Sequence, residues 1–252
     1  MTKVGNMKIE VIAEIGSNRE GSVNKAKKII RECKKAGADA VKFQLWKTDD
    51  LYKKNNPFYK QMKKSELTFE KAKQIKKFCD DEKIEFFCSV FNPEGVSFLE
   101  KLGVKRYKIA SYTAMLGHKF ATETLEKKSE TKKPIIISMS MGGNKRKLNK
   151  MFSKNKELIH CYCISEYPTP FEKIDWREAQ KFIGFSDHTE GIIAPIIFSV
   201  LKKKQKTPKI LIEKHVKIES SKGPDAETSM TVKELKEMII HLRKIENQKV
   251  IF

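Results

Sequence analysis

Short β-prone apolar runs recur along the chain at residues 11–13, 40–43, 86–90, 107–110, 135–138, 158–164, 182–185 and 210–212. Between most of them the spacing changes to that of an amphipathic helix, as in Val23, Ala26, Ile29, Ile30 and Cys33, or Phe69, Ala72, Ile75 and Phe78. The last such segment, residues 232–245, follows Thr231 with Glu234 three positions on, which is the pattern of a capping box. Strands that are apolar almost throughout are covered on both faces, so their alternation with helices predicts a parallel sheet lying inside a helical layer. Eight such units over 252 residues predict a closed (β/α)8 TIM barrel, an α/β fold, as a single domain over residues 1–252. An open doubly wound sheet is the rival, disfavoured because no Gly-rich fingerprint follows the first strand. Two segments fit a barrel poorly. Residues 45–66 form a long polar and aromatic connection, and residues 142–156 offer few apolar positions to a helix.

Composition narrows the function classes. With 39% hydrophobic and 33% charged residues the chain has apolar material for one substantial core, which excludes wholesale disorder. No stretch approaches the roughly 20 apolar residues that cross a bilayer, and the first residues lack the apolar heart of a signal peptide, so a cytoplasmic location is expected. The formal charge of +20 raises the question of nucleic-acid binding. Only six of the 52 cations are Arg, however, and the lysines scatter over the helical segments, with the densest run at residues 145–156. That is the pattern of a solvated surface rather than of bidentate phosphate recognition, so nucleic acid is not the expected partner. Five cysteines without a CxxC pair support neither a disulfide framework nor a structural zinc site, and buried thiols are expected. Cys161 and Cys163 alternate within one apolar run and should share a face of that strand.

A barrel of this type keeps its chemistry at the C-terminal ends of the strands. Those ends carry Glu14 and Asn18, Lys42 and Gln44, Ser89, Lys108 and Ser111, Ser138 and Ser140, Ser165 and Tyr167, Ser186 and His188, then Glu213 and His215. Lys42 and Lys108 lie within apolar strands. Burying an ammonium is costly without an anion, so two lysines converging on one mouth predict a phosphate or carboxylate ligand, with Ser89, Ser111, Ser138 and Ser186 completing its cradle. His188 and His215 end the last two strands and become neighbours only if the barrel closes; with a nearby carboxylate such as Glu14 they are donors suited to Mn2+, Zn2+ or Fe2+. His118, His160 and His241 fall outside this pattern.

The motifs Ile12-Ala13-Glu14-Ile15-Gly16-Ser17-Asn18, Ala36 to Gln44, Tyr107-Lys108-Ile109-Ala110-Ser111, Ser165-Glu166-Tyr167-Pro168-Thr169-Pro170, Ser186-Asp187-His188-Thr189, Glu213-Lys214-His215 and Gly223-Pro224-Asp225 resemble, in order, those of the sialic acid synthase (N-acetylneuraminate synthase) family. The resemblance implies a metal-dependent TIM-barrel transferase that condenses phosphoenolpyruvate with an N-acylated hexosamine, giving a nine-carbon 2-keto sugar acid of the sialic, legionaminic or pseudaminic type and inorganic phosphate. By it, Lys42, Ser89, Lys108, Ser111, Ser138, Ser165 and Ser186 hold phosphoenolpyruvate. His188 and His215 hold a divalent metal, Mn2+ or Mg2+. Glu14 acts near the metal and the attacking water, Gln44, Tyr167 and Asp225 surround the sugar, and Asn18 is expected to bind substrate.

The chain departs from the family pattern in places. Arg19 stands where His is usual, Thr113 replaces an acidic residue thought to act in catalysis, Ser138-Met139-Ser140-Met141 replaces Ser-Thr-Gly-Met, and Tyr162 takes the place of a strand-six His. The chain also stops at Phe252, and no C-terminal antifreeze-like domain is expected; a homodimer or a separate antifreeze-like partner would be consistent with the resemblance. The competing expectation is a barrel whose catalysis is altered or lost and which binds a ligand or regulates.

Overall fold

The computed structural model describes residues 7–248. Apart from a two-residue strand, Met230–Thr231, eight strands follow one another among the described residues: β1 Lys8–Glu14, β2 Ala40–Leu45, β3 Glu85–Val90, β4 Tyr107–Ile109, β5 Ile135–Ser138, β6 Leu158–Tyr162, β7 Gly184–Asp187 and β8 Lys209–Lys217. Each pairs in parallel with the next, and β1 closes on β8 from Lys8 opposite Lys209 to Glu14 opposite His215. The principal helices after the successive strands are α1 Val23–Ala36, α2 Phe69–Asp81, α3 Pro93–Lys101, α4 Ala121–Glu130, α5 Lys145–Met151, α6 Trp176–Ala179, α7 Ile193–Lys204 and α8 Val232–Asn247. The architecture is the expected (β/α)8 barrel, closed rather than doubly wound.

Apolar positions divide between two layers. Ile12, Ala40, Phe87, Ile136, Ile159, Cys161 and Leu211 fill the barrel, while Val11, Val41, Ile135, Ile137 and Ile212 face outward under the helices. On α1 the predicted stripe of Ala26, Ile29, Ile30 and Cys33 is fully buried. Truncating one of those isoleucines to Ala should cost about 2 to 5 kcal/mol. Thr231 and Glu234 form the predicted capping box at the start of α8, the Glu234 N–H donating to Thr231 Oγ1 at 3.2 Å and the Thr231 N–H to Glu234 Oε2 at 2.7 Å.

Boundaries differ where residues 182–185 and 158–164 are concerned. β7 starts only at Gly184, where a Cβ would run into Cys161 Sγ, so that glycine permits β6 and β7 to approach. β6 ends at Tyr162. Cys161 points into the barrel and Cys163, one residue beyond the strand, lines the cavity at its mouth, so the two thiols face the same side as expected. All five cysteines are buried and free.

The two segments that fit a barrel poorly are the irregular ones. Residues 142–156 give α5, seven residues long with Leu148 as its one buried residue. Residues 45–66 fold over the barrel mouth through two short helices, Thr48–Leu51 and Tyr59–Lys64. Glu66 accepts the Thr48 N–H at 2.9 Å, Lys63 donates to Asp49 at 2.9 Å, and the guanidinium of Arg19 donates to the Ser65 carbonyl at 2.6 Å. At the opposite end Arg106 lies between Glu10 and Glu85, over the Phe87 ring, and closes the barrel floor with paired charge. Among the described residues no helix is long and apolar enough to cross a membrane.

Candidate active site

A cavity of about 500 Å³ opens at the C-terminal ends of the strands. Lys42, Gln44, Ser89, Lys108, Ser111, Ser138, Ser165, Tyr167, Ser186, His188 and His215 all line it, gathered from seven strands and the loops that follow them. The period of two explains the selection: Ser186 and His188 point inward while Asp187 between them points out, and Glu213 and His215 flank an outward Lys214 in the same way. The two outward residues pair with each other, Lys214 Nζ donating to Asp187 Oδ2 at 2.6 Å.

The cavity floor is a buried charge cluster. Lys108 Nζ donates to Glu213 Oε1 at 2.6 Å, Ser186 Oγ donates to the same oxygen at 3.0 Å, and Lys42 Nζ lies 3.5 Å from it. Lys42 also pairs with Glu14 and donates to Ser89 Oγ at 3.3 Å. Gln44 Nε2 donates to Glu14 Oε1 at 3.3 Å. The two lysines therefore do converge, but on carboxylates of the chain itself. Burial works against the Glu213 carboxylate, yet Lys108 and Lys42 outweigh it and hold the group well below the ordinary range. Complete burial raises Glu14 above that range, against the pull of Lys42 and His215. Burial also disfavours the Lys42 ammonium, which Glu14 and Glu213 nonetheless keep charged by raising its pKa.

Glu213 is the residue that strand-end reasoning placed on the rim without a role. The signal was available: two positions before His215 on one strand, it must share that histidine's face. Its second oxygen, Oε2, is buried with no hydrogen-bond partner among the described residues.

Above this floor the rings of His188 and His215 lie 5.5 Å apart, and Tyr167 covers His188 at 4.1 Å. His188 Nδ1 faces the Ile164 carbonyl at 2.7 Å, a contact that puts the proton on Nδ1 and leaves the Nε2 lone pair free. Burial, aided by His215, pushes the His188 pKa down to about 3, so its imidazole is neutral. His215 Nδ1 is buried without a hydrogen-bond partner, 3.9 Å from Asp225 Oδ2. The neutral His188 imidazole and the His215 ring, each with an open nitrogen, fit a borderline divalent ion. Among the described residues no cluster of three His, Cys, Asp or Glu side chains assembles as a metal site, so an ion held by the two histidines would take its remaining ligands from water or substrate.

Two expected substrate-binding residues lie elsewhere. Asn18 sits in the turn Gly16–Arg19 after β1 and is fully buried away from the cavity; its Nδ2 donates to the Val216 carbonyl at 2.9 Å and to Ser229 Oγ at 2.8 Å, locking that turn to the end of β8 and the loop that follows it. Asp225 stands behind His215, accepting the Ser17 N–H at 3.0 Å. Gly16 is required there: at φ +47 its Cβ would meet Asp225 Oδ2 at 2.7 Å and Glu14 Oε1 at 2.9 Å. Thr113 is buried and shares a 2.9 Å hydrogen bond with His118 Nε2, outside the cavity. Trp46, Leu51, Tyr52, Met62, Phe91, Tyr112, Met141 and Cys163 also line the cavity, none of which strand-end reasoning had singled out.

The closed parallel barrel thus carries paired lysines and carboxylates beneath two histidines. The chain belongs to the NeuB family, whose model matches residues 29–250. It is 30% identical to the N,N'-diacetyllegionaminic acid synthase of Legionella pneumophila over 94% of this chain and 72% of that protein. With an uncharacterized protein of Methanocaldococcus jannaschii it shares 33% identity, over 94% of this chain and 70% of the relative. The crystal structure of the N-acetylneuraminic acid synthetase of Leptospira borgpetersenii, in complex with citrate, superposes with a TM-score of 0.85 at 26% identity, covering 96% of this chain and 85% of that one.

Proposed function

We propose that the chain is a phosphoenolpyruvate-dependent synthase that condenses this three-carbon acid with an N-acylated hexosamine to a nine-carbon 2-keto sugar acid and phosphate. The observation that carries the reading is the Lys42–Glu213–Lys108 cluster, ringed by serine hydroxyls, directly below His188 and His215. Lys42, Lys108 and the hydroxyls of Ser89, Ser111, Ser138 and Ser186 bind the phosphate and carboxylate, the incoming anion competing with Glu213 for the two ammonium groups. A divalent ion, Mn2+ or Mg2+, held by His188 and His215 would supply Lewis-acid polarisation of the open-chain sugar aldehyde.

C3 of phosphoenolpyruvate attacks that aldehyde, water adds at C2, and phosphate leaves with cleavage of its C–O bond. Glu14 and Glu213 are two carboxyls whose surroundings push their pKa values apart, the pattern that separates acid and base roles. Glu14 is the one that takes and returns a proton near C2, and it does the work of the acid that Thr113 replaces. Gln44 orients Glu14, and Tyr167 covers the histidines on the sugar side.

Phosphate release from phosphoenolpyruvate, requiring both Mn2+ and an amino-hexose, is the expected result, screened over a hexosamine panel with and without a separately expressed antifreeze-like domain. Lys108→Ala and His215→Ala should each abolish it; wild-type turnover in either removes that residue from the mechanism. A second reading, a barrel that binds without turnover, draws on Thr113, which supplies no carboxylate to the cavity. Tight phosphoenolpyruvate binding with no phosphate release from any sugar would select it.

A further inference from the structure

The β3–β4 ladder holds a single register pair, Ser89 with Lys108, whereas β2–β3 holds six and β1–β8 seven. β4 itself is three residues long. This thin seam nonetheless carries Ser89 and Lys108, both of which line the cavity. Behind it, α4 sends Lys128 inward. That side chain is fully buried, and its Nζ donates to the carbonyls of Val90 and Lys108 at 3.0 Å each. Among the described residues it makes no ion pair with a carboxylate.

An ammonium in the apolar layer between strands and helices is costly, and a hydrophobic side chain of similar volume would often serve packing as well or better. Burial, reinforced by Lys42, pushes its pKa down to about 7. What Lys128 provides that an apolar residue cannot is a bridge between two strand ends.

We propose that Lys128 is a positioning residue for the cavity: its amine ties the ends of β3 and β4 together where their ladder stops, and so fixes Ser89 and Lys108 relative to Lys42 and Glu213. The carbonyl it holds on β4 belongs to Lys108, whose side chain reaches Glu213. The carbonyl it holds on β3 belongs to Val90, between Ser89 and the cavity-lining Phe91. A small shift at this seam therefore moves two anion-binding groups at once. The functional half of the inference rests on the phosphoenolpyruvate reading; the tie itself does not.

The test uses the full chain with Mn2+ and four proteins: wild type, Lys128→Met, Lys128→Arg and Leu125→Ala. Leu125 is buried in the same helix, so its truncation loosens packing without touching either carbonyl. Phosphoenolpyruvate affinity is measured by calorimetry, and amide hydrogen exchange is followed over residues 88–92 and 107–112. Lys128→Met should weaken binding by about tenfold or more and speed exchange in both segments. Lys128→Arg, which keeps the donors, should restore both, and Leu125→Ala should lower thermal stability with affinity preserved. Should Lys128→Met not fold, Lys128→Gln, too short to span both carbonyls, takes its place with the same expectation.

Wild-type affinity and exchange in the substituted protein would overturn the proposal, as would an equal loss of affinity in Leu125→Ala. If wild type itself does not bind phosphoenolpyruvate, the reading of the cavity fails, and the exchange comparison still decides whether Lys128 ties the seam.

Discussion

Glu213 accepts from Lys108 and Ser186 on one oxygen, with Lys42 alongside, so neutralising it changes more than one contact. Glu213→Gln keeps the shape but leaves two buried ammonium groups with less counter-charge, and stability should fall by about 3 kcal/mol in a urea titration. Because the carboxylate competes with an incoming anion for the same lysines, inorganic phosphate should bind the folded variant no more weakly than wild type. Unchanged stability together with weakened phosphate binding would reverse that account.

His188 makes the opposite contribution. Its folded pKa of about 3 lies below the unfolded value near 6.5. Between those values the unfolded chain takes up a proton that the folded chain refuses, so stability rises with pH across the window and is lost as pH falls through it. In chelator-dialysed protein, wild type should lose about 2 to 3 kcal/mol more than His188→Gln between pH 7 and pH 4.5. Equal acid sensitivity in the two would show that His188 is not held neutral by burial. Adding Mn2+ at neutral pH should raise the melting temperature of wild type and leave that of His215→Ala unmoved.

At the scale of elements, what was legible in the sequence was periodic. Val11 to Ala13 and Ile210 to Ile212 announced strands, and the alternation in Ser186-Asp187-His188 and Glu213-Lys214-His215 set which side chains enter the cavity. What was illegible was set by irregular backbone. Asn18 looked like a rim residue because it follows β1 closely, yet the turn Gly16–Arg19 rotates it toward Val216. Residues 45–66 have no period to read, and their place over the mouth depends on individual bonds such as that from Arg19 to the Ser65 carbonyl.

The β7–β8 seam shows how the two faces of an element cooperate. Outside the barrel, Lys214 Nζ donates to Asp187 Oδ2 and to the Thr189 carbonyl, and Asp187 Oδ1 accepts the Thr189 N–H at 2.9 Å; both charged side chains are about 1% exposed. The loop that presents His188 is therefore fixed from behind. Lys214→Met or Asp187→Leu alone should cost about 3 to 5 kcal/mol, since each strands a buried charge. The double variant should cost less than the sum, by about 1 to 3 kcal/mol of coupling. Additive losses in denaturant titrations would mean that the pair is not the unit holding the loop.

Across the whole molecule, closure of β1 on β8 is what turns residues some 200 positions apart into one site: Glu14 lies opposite His215 only because the ring is complete. The same closure sets the mouth in a chain whose formal net charge is +20. Many lysines are answered locally, as Lys76 by Asp80 or Lys73 by Glu70, but α5 near the mouth carries Lys145, Arg146, Lys147 and Lys150 with no acidic residue in the helix. A multiply charged acid such as phosphoenolpyruvate approaching this end is drawn by a field that salt screens over roughly 10 Å at 0.1 M. Raising KCl from 50 to 500 mM at fixed metal should therefore lower kcat/KM for phosphoenolpyruvate by roughly three- to tenfold with kcat nearly constant. Reversing Arg146 and Lys147 to Glu should flatten that dependence and leave kcat alone, because neither side chain lines the cavity. A parallel fall in kcat would instead assign the salt effect to the buried Lys42–Glu213–Lys108 cluster, and the surface charge would then have no part in capturing the substrate.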